Sequence, residues 1–513
     1  MLSQITSAAT FGVNAYLVRV ETNVESTVPR FYIVGLPDNA VKESYHRVFS
    51  AIKNSEYRFP GQRITVNLAP ADVKKEGSAY DLPIALGILA SSGQLDSPIL
   101  SDFLVLGELA LDGSLRAIHG ALVVATEAKV KGFRGVILPK ENAQEAAMVE
   151  GLEVYPMGSL RETVDFLRTE YQLLKPFRVD VRAMFAVDQH YTLDFADVKG
   201  QESVKRSLEV AAAGGHNILL IGPPGSGKTM LAKRLPTILP PMRFEESLET
   251  TKIHSVAGLL PPDTALVSRR PFRSPHHTIS DAALVGGGTI PRPGEISLAH
   301  HGVLFLDELP QFARNVLEVM RQPLEDSRVT VSRSKMSVEY PANFMLVCAM
   351  NPCPCGNYGN PNQDCTCTPP QIQKYVGKIS GPLLDRIDIH VEVPAVKYGE
   401  LASKRTGEPS SAIRQRVVIA REMQAKRFAG RKGFFCNADM GSSEIKEFCE
   451  IDAQGADLLK NAMNKLGLSA RAYDRILKVA RTIGDLSGSE RIRPEHLGEA
   501  IQYRSLDRSF YVI

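Results

Sequence analysis

Tryptophan is missing from this chain, and nothing functional follows from that. Its other scarcities exclude more. No stretch approaches about 18 apolar residues without a charge, so a membrane span is not expected. The start, Met1-Leu2-Ser3-Gln4-Ile5-Thr6-Ser7, lacks the basic opening and apolar centre of a secretory leader. Net charge is only +3, too little to imply a nucleic-acid partner unless cations gather locally. Cysteines number seven, four of them in one short loop. That pattern suits a reducing cytoplasm and a metal site better than a disulfide scaffold. The rest is ordinary for a globular protein, with 44% apolar and 23% charged residues. At 513 residues the chain exceeds one core, so two or three domains are expected.

The most informative stretch is Gly222-Pro223-Pro224-Gly225-Ser226-Gly227-Lys228-Thr229, which fits the phosphate-loop pattern G-x-x-x-x-G-K-[ST]. Apolar Asn217–Ile221 reads as a strand entering it, and Met230–Leu235 as a helix leaving it. The glycines let successive backbone N–H groups face a β-phosphate at the positive end of that helix. Lys228 would reach the β- and γ-phosphates and Thr229 would ligate Mg2+, so ATP with Mg2+ is the expected pair.

Hydrolysis needs further groups, and they follow in order. Val303–Leu306 is an apolar run suited to a buried parallel strand, ending at Asp307-Glu308. Asp307 would hold the Mg2+ shell and Glu308 would polarise the attacking water as general base. Phe344–Met350 is a second buried strand, ending at Asn351, whose amide would orient that water or touch the γ-phosphate. Arg386 and Arg471 lie downstream, and an arginine offered to a neighbour's γ-phosphate is worth roughly 10³–10⁵ in rate.

Residues 1–170 alternate strand-like and helix-like segments. Arg63–Ala69 alternates with period two, and Asp112-Gly113 reads as a hairpin turn. Polar residues 171–193 read as a linker, 194–394 as the phosphate-loop domain and 395–513 as a helical region. Helices are clearest at Ser411–Phe428 and Ser469–Leu486. Between 401 and 432, Lys404, Arg405, Arg414, Arg416, Arg421, Lys426, Arg427, Arg431 and Lys432 face only Glu408 and Glu422, a surface suited to phosphates.

Phosphate loop, Asp-Glu strand, terminal Asn and two arginines together resemble an AAA+ ATPase. The words around them are more particular: Phe195–Gln201, Arg273-Ser274-Pro275-His276-His277-Thr278, Ile379–Asp388 and Ser469–Arg475 resemble the magnesium-chelatase-like ComM/YifB family. The match spans essentially the whole chain. It implies an α/β fold, a phosphate-loop parallel-sheet core with a C-terminal helical lid, and a homohexameric ring with ATP between subunits. Arg386 would then be the trans-acting finger, Arg471 the second sensor and Asn351 the first. It also implies a hairpin before the first sensor, for which 328–341 is the candidate, with Arg333 and Lys335 at its tip facing DNA.

The first domain carries Lys74–Pro83 and Leu106–Gly113, which resemble a Lon-protease-like α+β domain. Ser78 falls near that family's nucleophile, but Leu115–Leu122 offers Arg116 and His119 where its lysine base belongs. A guanidinium with pKa above about 12 is no base. A non-proteolytic module for DNA contact or ring assembly is therefore expected.

Cys353, Cys355, Cys365 and Cys367 form two C-x-C pairs within a Gly/Asn/Pro-rich loop, a set fitting tetrahedral Zn2+. His276-His277 and His300-His301 are adjacent pairs; strand neighbours point to opposite faces, which argues against chelation.

The expectation is a cytoplasmic ATPase that moves on single-stranded or branched DNA, as in branch migration or unwinding during recombination or natural transformation. The alternatives are a chelatase-like motor remodelling a protein partner and an ATP-dependent regulatory assembly factor.

Overall fold

The computed structural model describes residues 2–75, 77–169, 174–180, 191–261, 264–288, 291–333, 336–360, 363–396, 407–431 and 433–506; of Arg333 and Met336 only the backbone is described. Two compact units emerge, one of residues 1–188 and 244–268, the other of 189–243 and 269–513.

In the first unit, Leu2–Phe11 and Asn14–Glu25 form a long antiparallel hairpin. Gly12 (φ 61) supplies the left-handed backbone its turn needs. Arg63–Ala69 pairs with the second of these strands and buries every second residue, as its alternation predicts. Arg30–Val34 runs parallel to it and forms one edge of the sheet. Helix Asp81–Ser91 is apolar all round and correspondingly buried on nearly every side. A second, parallel sheet joins Phe103–Val105, Gly135–Pro139 and Glu153–Met157. Glu108–Leu109 and Leu115–Arg116 pair across the Asp112-Gly113 turn.

Helix Phe244–Val256 also belongs to this unit, although the sequence pattern runs the phosphate-loop region unbroken through it. It packs on helix Ala121–Val130, and Ser255 donates to Glu145. Its buried positions include Glu246, Ser247, Thr250, Thr251 and Ser255, so no apolar stripe announces the burial.

The second unit is built on a five-stranded sheet. Phe272–Arg273, Val303–Leu306, Met345–Met350, Ile218–Ile221 and Ile389–Glu392 lie side by side in that order, every pair parallel. The middle strands are buried on both faces, which accounts for their unbroken apolar runs. Helices Glu202–Gly214, Ser410–Arg427 and Ala470–Leu486 contribute to the same apolar core. The helical region after 395 belongs to the same compact unit as this sheet. The 328–341 segment forms the expected hairpin, Arg328–Arg333 against Met336–Pro341. Among the described residues no helix is long and apolar enough to cross a membrane.

Candidate nucleotide site

Parallel strands bring their C-terminal ends to one edge. Ile221 lies level with Met350, and Leu306 with Cys348, so the residues that follow each strand emerge together. The sheet thereby gathers the phosphate loop, Asp307-Glu308 and Asn351, which are far apart in sequence.

Gly225 (φ 75) and Gly227 (φ 88) adopt left-handed backbone, and helix Lys228–Arg234 starts directly after them. The loop therefore ends at a helix N-terminus. Gly222 admits no side chain, since a Cβ there would sit 2.2 Å from the Val393 carbonyl oxygen. Lys228 Nζ donates to the carbonyls of Gly222 (2.7 Å) and Pro223 (2.9 Å) and to Asn351 Oδ1 (3.1 Å). Burial pulls its ammonium below the usual range, with Asp307 opposing the shift. Thr229 Oγ1 donates to Asp307 Oδ2 at 2.6 Å, so a hydroxyl and a carboxylate already share one point. Such hard oxygen donors fit Mg2+.

Glu308 stands at φ 54, a left-handed conformation rare outside glycine, and its N–H donates to Asp307 Oδ1 at 2.9 Å. Its side chain is 58% exposed, with Oε2 lying 3.5 Å from His277 Nδ1. The sequence reading gave His277 no place here. The two-residue strand Phe272–Arg273 is too short to show a period, yet it pairs beside Val303–Leu306 and delivers 274–277 to the same edge. The histidine pairs also depart from opposite-face geometry. Ring centroids lie 4.1 Å apart in His276-His277 and 3.8 Å in His300-His301, because neither pair sits in a strand.

The arginines are placed differently from one another. Arg386 is 4% exposed. Its Nη1 donates to the Pro382 carbonyl at 2.6 Å and its Nη2 to Glu325, while Nε is buried with no hydrogen-bond partner among the described residues. Arg471 is exposed in the first turn of helix Ala470–Leu486. One turn on, Arg475 of that helix pairs with Asp388, whose Oδ2 also accepts from the Asn217 N–H at 3.1 Å. Burial alone would raise the Asp388 carboxyl, but Arg475, His216 and Lys478 outweigh it and hold the group well below its usual range. Asn217 ties the sheet further: Oδ1 accepts from the Leu346 N–H (2.8 Å) and Nδ2 donates to the Arg386 carbonyl (3.0 Å).

The four loop cysteines converge, their sulfurs all within 4.8 Å of one another. In the basic stretch after 401, four of the described arginines already have partners within the chain. Arg416 pairs with Glu209 and Glu408, Arg427 with Asp485, and Arg431 with Glu444 and Glu447, while Arg421 donates to the Ala212 carbonyl. Those acidic partners lie outside the window in which charge was counted, apart from Glu408. Lys404, Arg405 and Lys432 lie outside the described residues, as does Lys335; nothing is described of the Arg333 side chain.

In the first unit, Ser78 donates to Glu108, whose Oε1 lies 3.7 Å from Arg116 Nη1, and Lys75 Nζ donates to the Val73 carbonyl at 2.7 Å. Beside the edge strand Arg30–Val34 runs a groove of about 810 Å3. The rings of Phe31, Tyr45, Phe49 and Phe59 line it, with Arg30, Lys42, His46 and Lys53 and, among the described residues, no carboxylate. Lys53 Nζ sits 4.2 Å over the Phe49 ring.

Three models described as magnesium chelatase subunit ChlI, or its C-terminal part, match residues 20–142, 194–401 and 407–504. The chain is 47% identical over 513 residues to competence protein ComM of Haemophilus influenzae, covering 99% of this chain and 98% of that protein. It is 46% identical to the uncharacterised protein YifB of Escherichia coli over 509 residues, with the same coverage. A shorter likeness, 33% over 106 residues, links it to the DNA repair protein RadA of Aquifex aeolicus, covering 21% of this chain and 22% of RadA.

Proposed function

The chain belongs to the magnesium-chelatase-like ComM/YifB family, and from that membership we propose that it is an ATP-hydrolysing hexameric motor acting on single-stranded or branched DNA. The observation that carries the ATPase reading is the meeting of Lys228 with Asn351 and of Thr229 with Asp307 across three strand ends.

In that reading Lys228 exchanges the loop carbonyls for phosphate oxygens, which a less solvated ammonium favours. Thr229 and Asp307 would hold Mg2+, which neutralises charge building on the phosphates. Glu308, held in its strained backbone by Asp307 and close to His277, takes the proton of the attacking water. Arg386 acts on the neighbouring subunit's triphosphate and Arg471 on its own, so turnover follows assembly. Cys353, Cys355, Cys365 and Cys367 would carry a structural Zn2+, and the protein works in the cytoplasm.

DNA as partner is supported by the likeness to a competence protein, ComM, and to a DNA repair protein, RadA, and by the aromatic, cationic groove on the first unit. Bases stack on such rings and phosphates pair with such cations. The Arg333/Lys335 hairpin would track the backbone within the ring. Branch migration or unwinding during recombination follows as the activity. The chelatase description of the matching models favours one alternative, a motor that remodels a protein partner. ATPase rate with and without single-stranded or forked DNA, alongside strand displacement, separates the two. DNA-stimulated turnover supports the DNA motor; turnover indifferent to DNA but raised by a protein partner replaces it.

A further inference from the structure

Two hydrogen-bonded systems in the second unit share one short loop, and neither needs the other to explain it. One is the Lys228–Asn351 contact. The other is the cysteine cluster, whose first member follows Asn351 by two residues. We propose that Cys353, Cys355, Cys365 and Cys367 hold one structural Zn2+, and that this metal braces the phosphate loop, coupling metal occupancy to nucleotide binding. The nucleotide half of this rests on the ATPase reading above.

The donor set selects the metal. Cys353 Sγ lies 3.3 Å from Cys355 Sγ and 3.6 Å from Cys365 Sγ, and Cys355 to Cys365 is again 3.6 Å. Four sulfurs at about 2.3 Å from a tetrahedral zinc stand about 3.8 Å apart, close to what is seen. A disulfide needs about 2.05 Å, and all four cysteines are free. An all-sulfur set also disfavours hard cations such as Mg2+ and Ca2+. Backbone N–H groups already aim at two of the sulfurs: Cys355 N–H at Cys367 Sγ (3.4 Å) and Tyr358 N–H at Cys353 Sγ (3.3 Å). Such donors stabilise the thiolate charge a metal requires.

The coupling rests on contact. Gly356, between the two ligand pairs, is left-handed (φ 85), and a Cβ there would lie 2.4 Å from Cδ of Pro224. The cysteine loop therefore packs its backbone directly on the phosphate loop. It also holds Asn351 on one side, where Oδ1 accepts from Lys228. A loop of glycine, asparagine and proline has no apolar core of its own to keep that position, so the metal replaces one.

The test uses the full chain. About one Zn2+ per chain is expected after purification under reducing conditions, and Co2+ exchanged into it should give the spectrum of a tetrahedral thiolate site. Stripping the metal should weaken binding of a fluorescent ATP analogue roughly tenfold, the scale of one lost charge-assisted hydrogen bond, and added Zn2+ should restore it. The double variant Cys365→Ser, Cys367→Ser should lose the metal and not be rescued. Gly356→Ala, with all cysteines intact, should keep the metal and still lose affinity, which separates bracing from general unfolding. Absence of zinc and of any cobalt spectrum after refilling overturns the site and leaves four incidental thiols. Full metal content with nucleotide affinity unchanged on stripping overturns the brace. If the wild type carries zinc but binds no nucleotide, the ATPase reading and the brace fall together while the metal site stands. Lys228→Ala, losing nucleotide and keeping zinc, is the expected counterpart.

Discussion

Arg386 is held by Glu325 of its own chain, and Glu325 is 54% exposed while the arginine is 5%. An arginine that serves a neighbouring subunit must leave this pairing, so Glu325 is the restraint on that movement. Arg386→Ala should lower turnover roughly 10³-fold or more while ATP binding persists, measured by steady-state hydrolysis and by nucleotide titration. Glu325→Gln should lower the protein concentration at which activity appears, because the guanidinium is no longer competed for. Wild-type turnover in Arg386→Ala would make this residue structural alone.

Glu308→Gln should bind ATP with near wild-type affinity and hydrolyse it 10²-fold to 10⁴-fold more slowly, the usual range for a lost general base. Thr229→Ala should raise the Mg2+ concentration needed for activity, since one of two oxygen donors that meet at 2.6 Å is gone. Hydrolysis unchanged in Glu308→Gln would remove it from its assigned role.

Phe49→Ala should weaken single-stranded DNA binding roughly tenfold, as expected for loss of one stacking ring. Lys53→Ala should instead flatten the salt dependence by about one counterion and leave base preference alone. Fluorescence anisotropy over a salt series reads both. Affinity unchanged in the double variant would take the groove out of the DNA path.

Asp388 gives a pH prediction. Its folded-state pKa is depressed from the ordinary 3.8, so the group contributes stability above that value and loses it as pH falls toward the folded pKa. Asp388→Asn strands Arg475 and should cost about 3–5 kcal/mol near neutral pH. On acidification below about pH 4 the gap between variant and wild type should narrow, because the unfolded wild type takes up a proton there while the folded carboxylate stays charged. Thermal melts across pH 3–7 would show it; a gap constant with pH would mean that the fold does not depress the Asp388 pKa.

The candidate phosphate-site residues were legible because buried parallel strands write themselves as apolar runs, and Val303–Leu306 and Met345–Met350 end where that pattern says. The hairpin at 328–341 was expected from the family resemblance, and Arg328–Arg333 pairs with Met336–Pro341 as that implies. Leu2–Phe11, one of the two longest strands of the first unit, was not legible, because Ser, Thr and Ala fill it and blur the alternation. His277 was hidden by a strand of two residues, and Asn217 by its place as the first residue of an apolar run read only as a strand. In the basic stretch, the partners of Arg416, Arg427 and Arg431 were not legible locally. A local charge count does not see Glu209, Glu444, Glu447 or Asp485, which fold back onto it from elsewhere in the chain.

Helix Phe244–Val256 has a practical consequence for anyone dissecting the molecule. Because 244–268 belongs with 1–188, no single cut yields either half intact. A fragment ending near 188 would bare the apolar face of Ala121–Val130 and leave the buried Glu145 without its Ser255 donor. Truncations meant to isolate one activity would then report aggregation instead, and inactivating point changes in the full-length protein are the sounder tool.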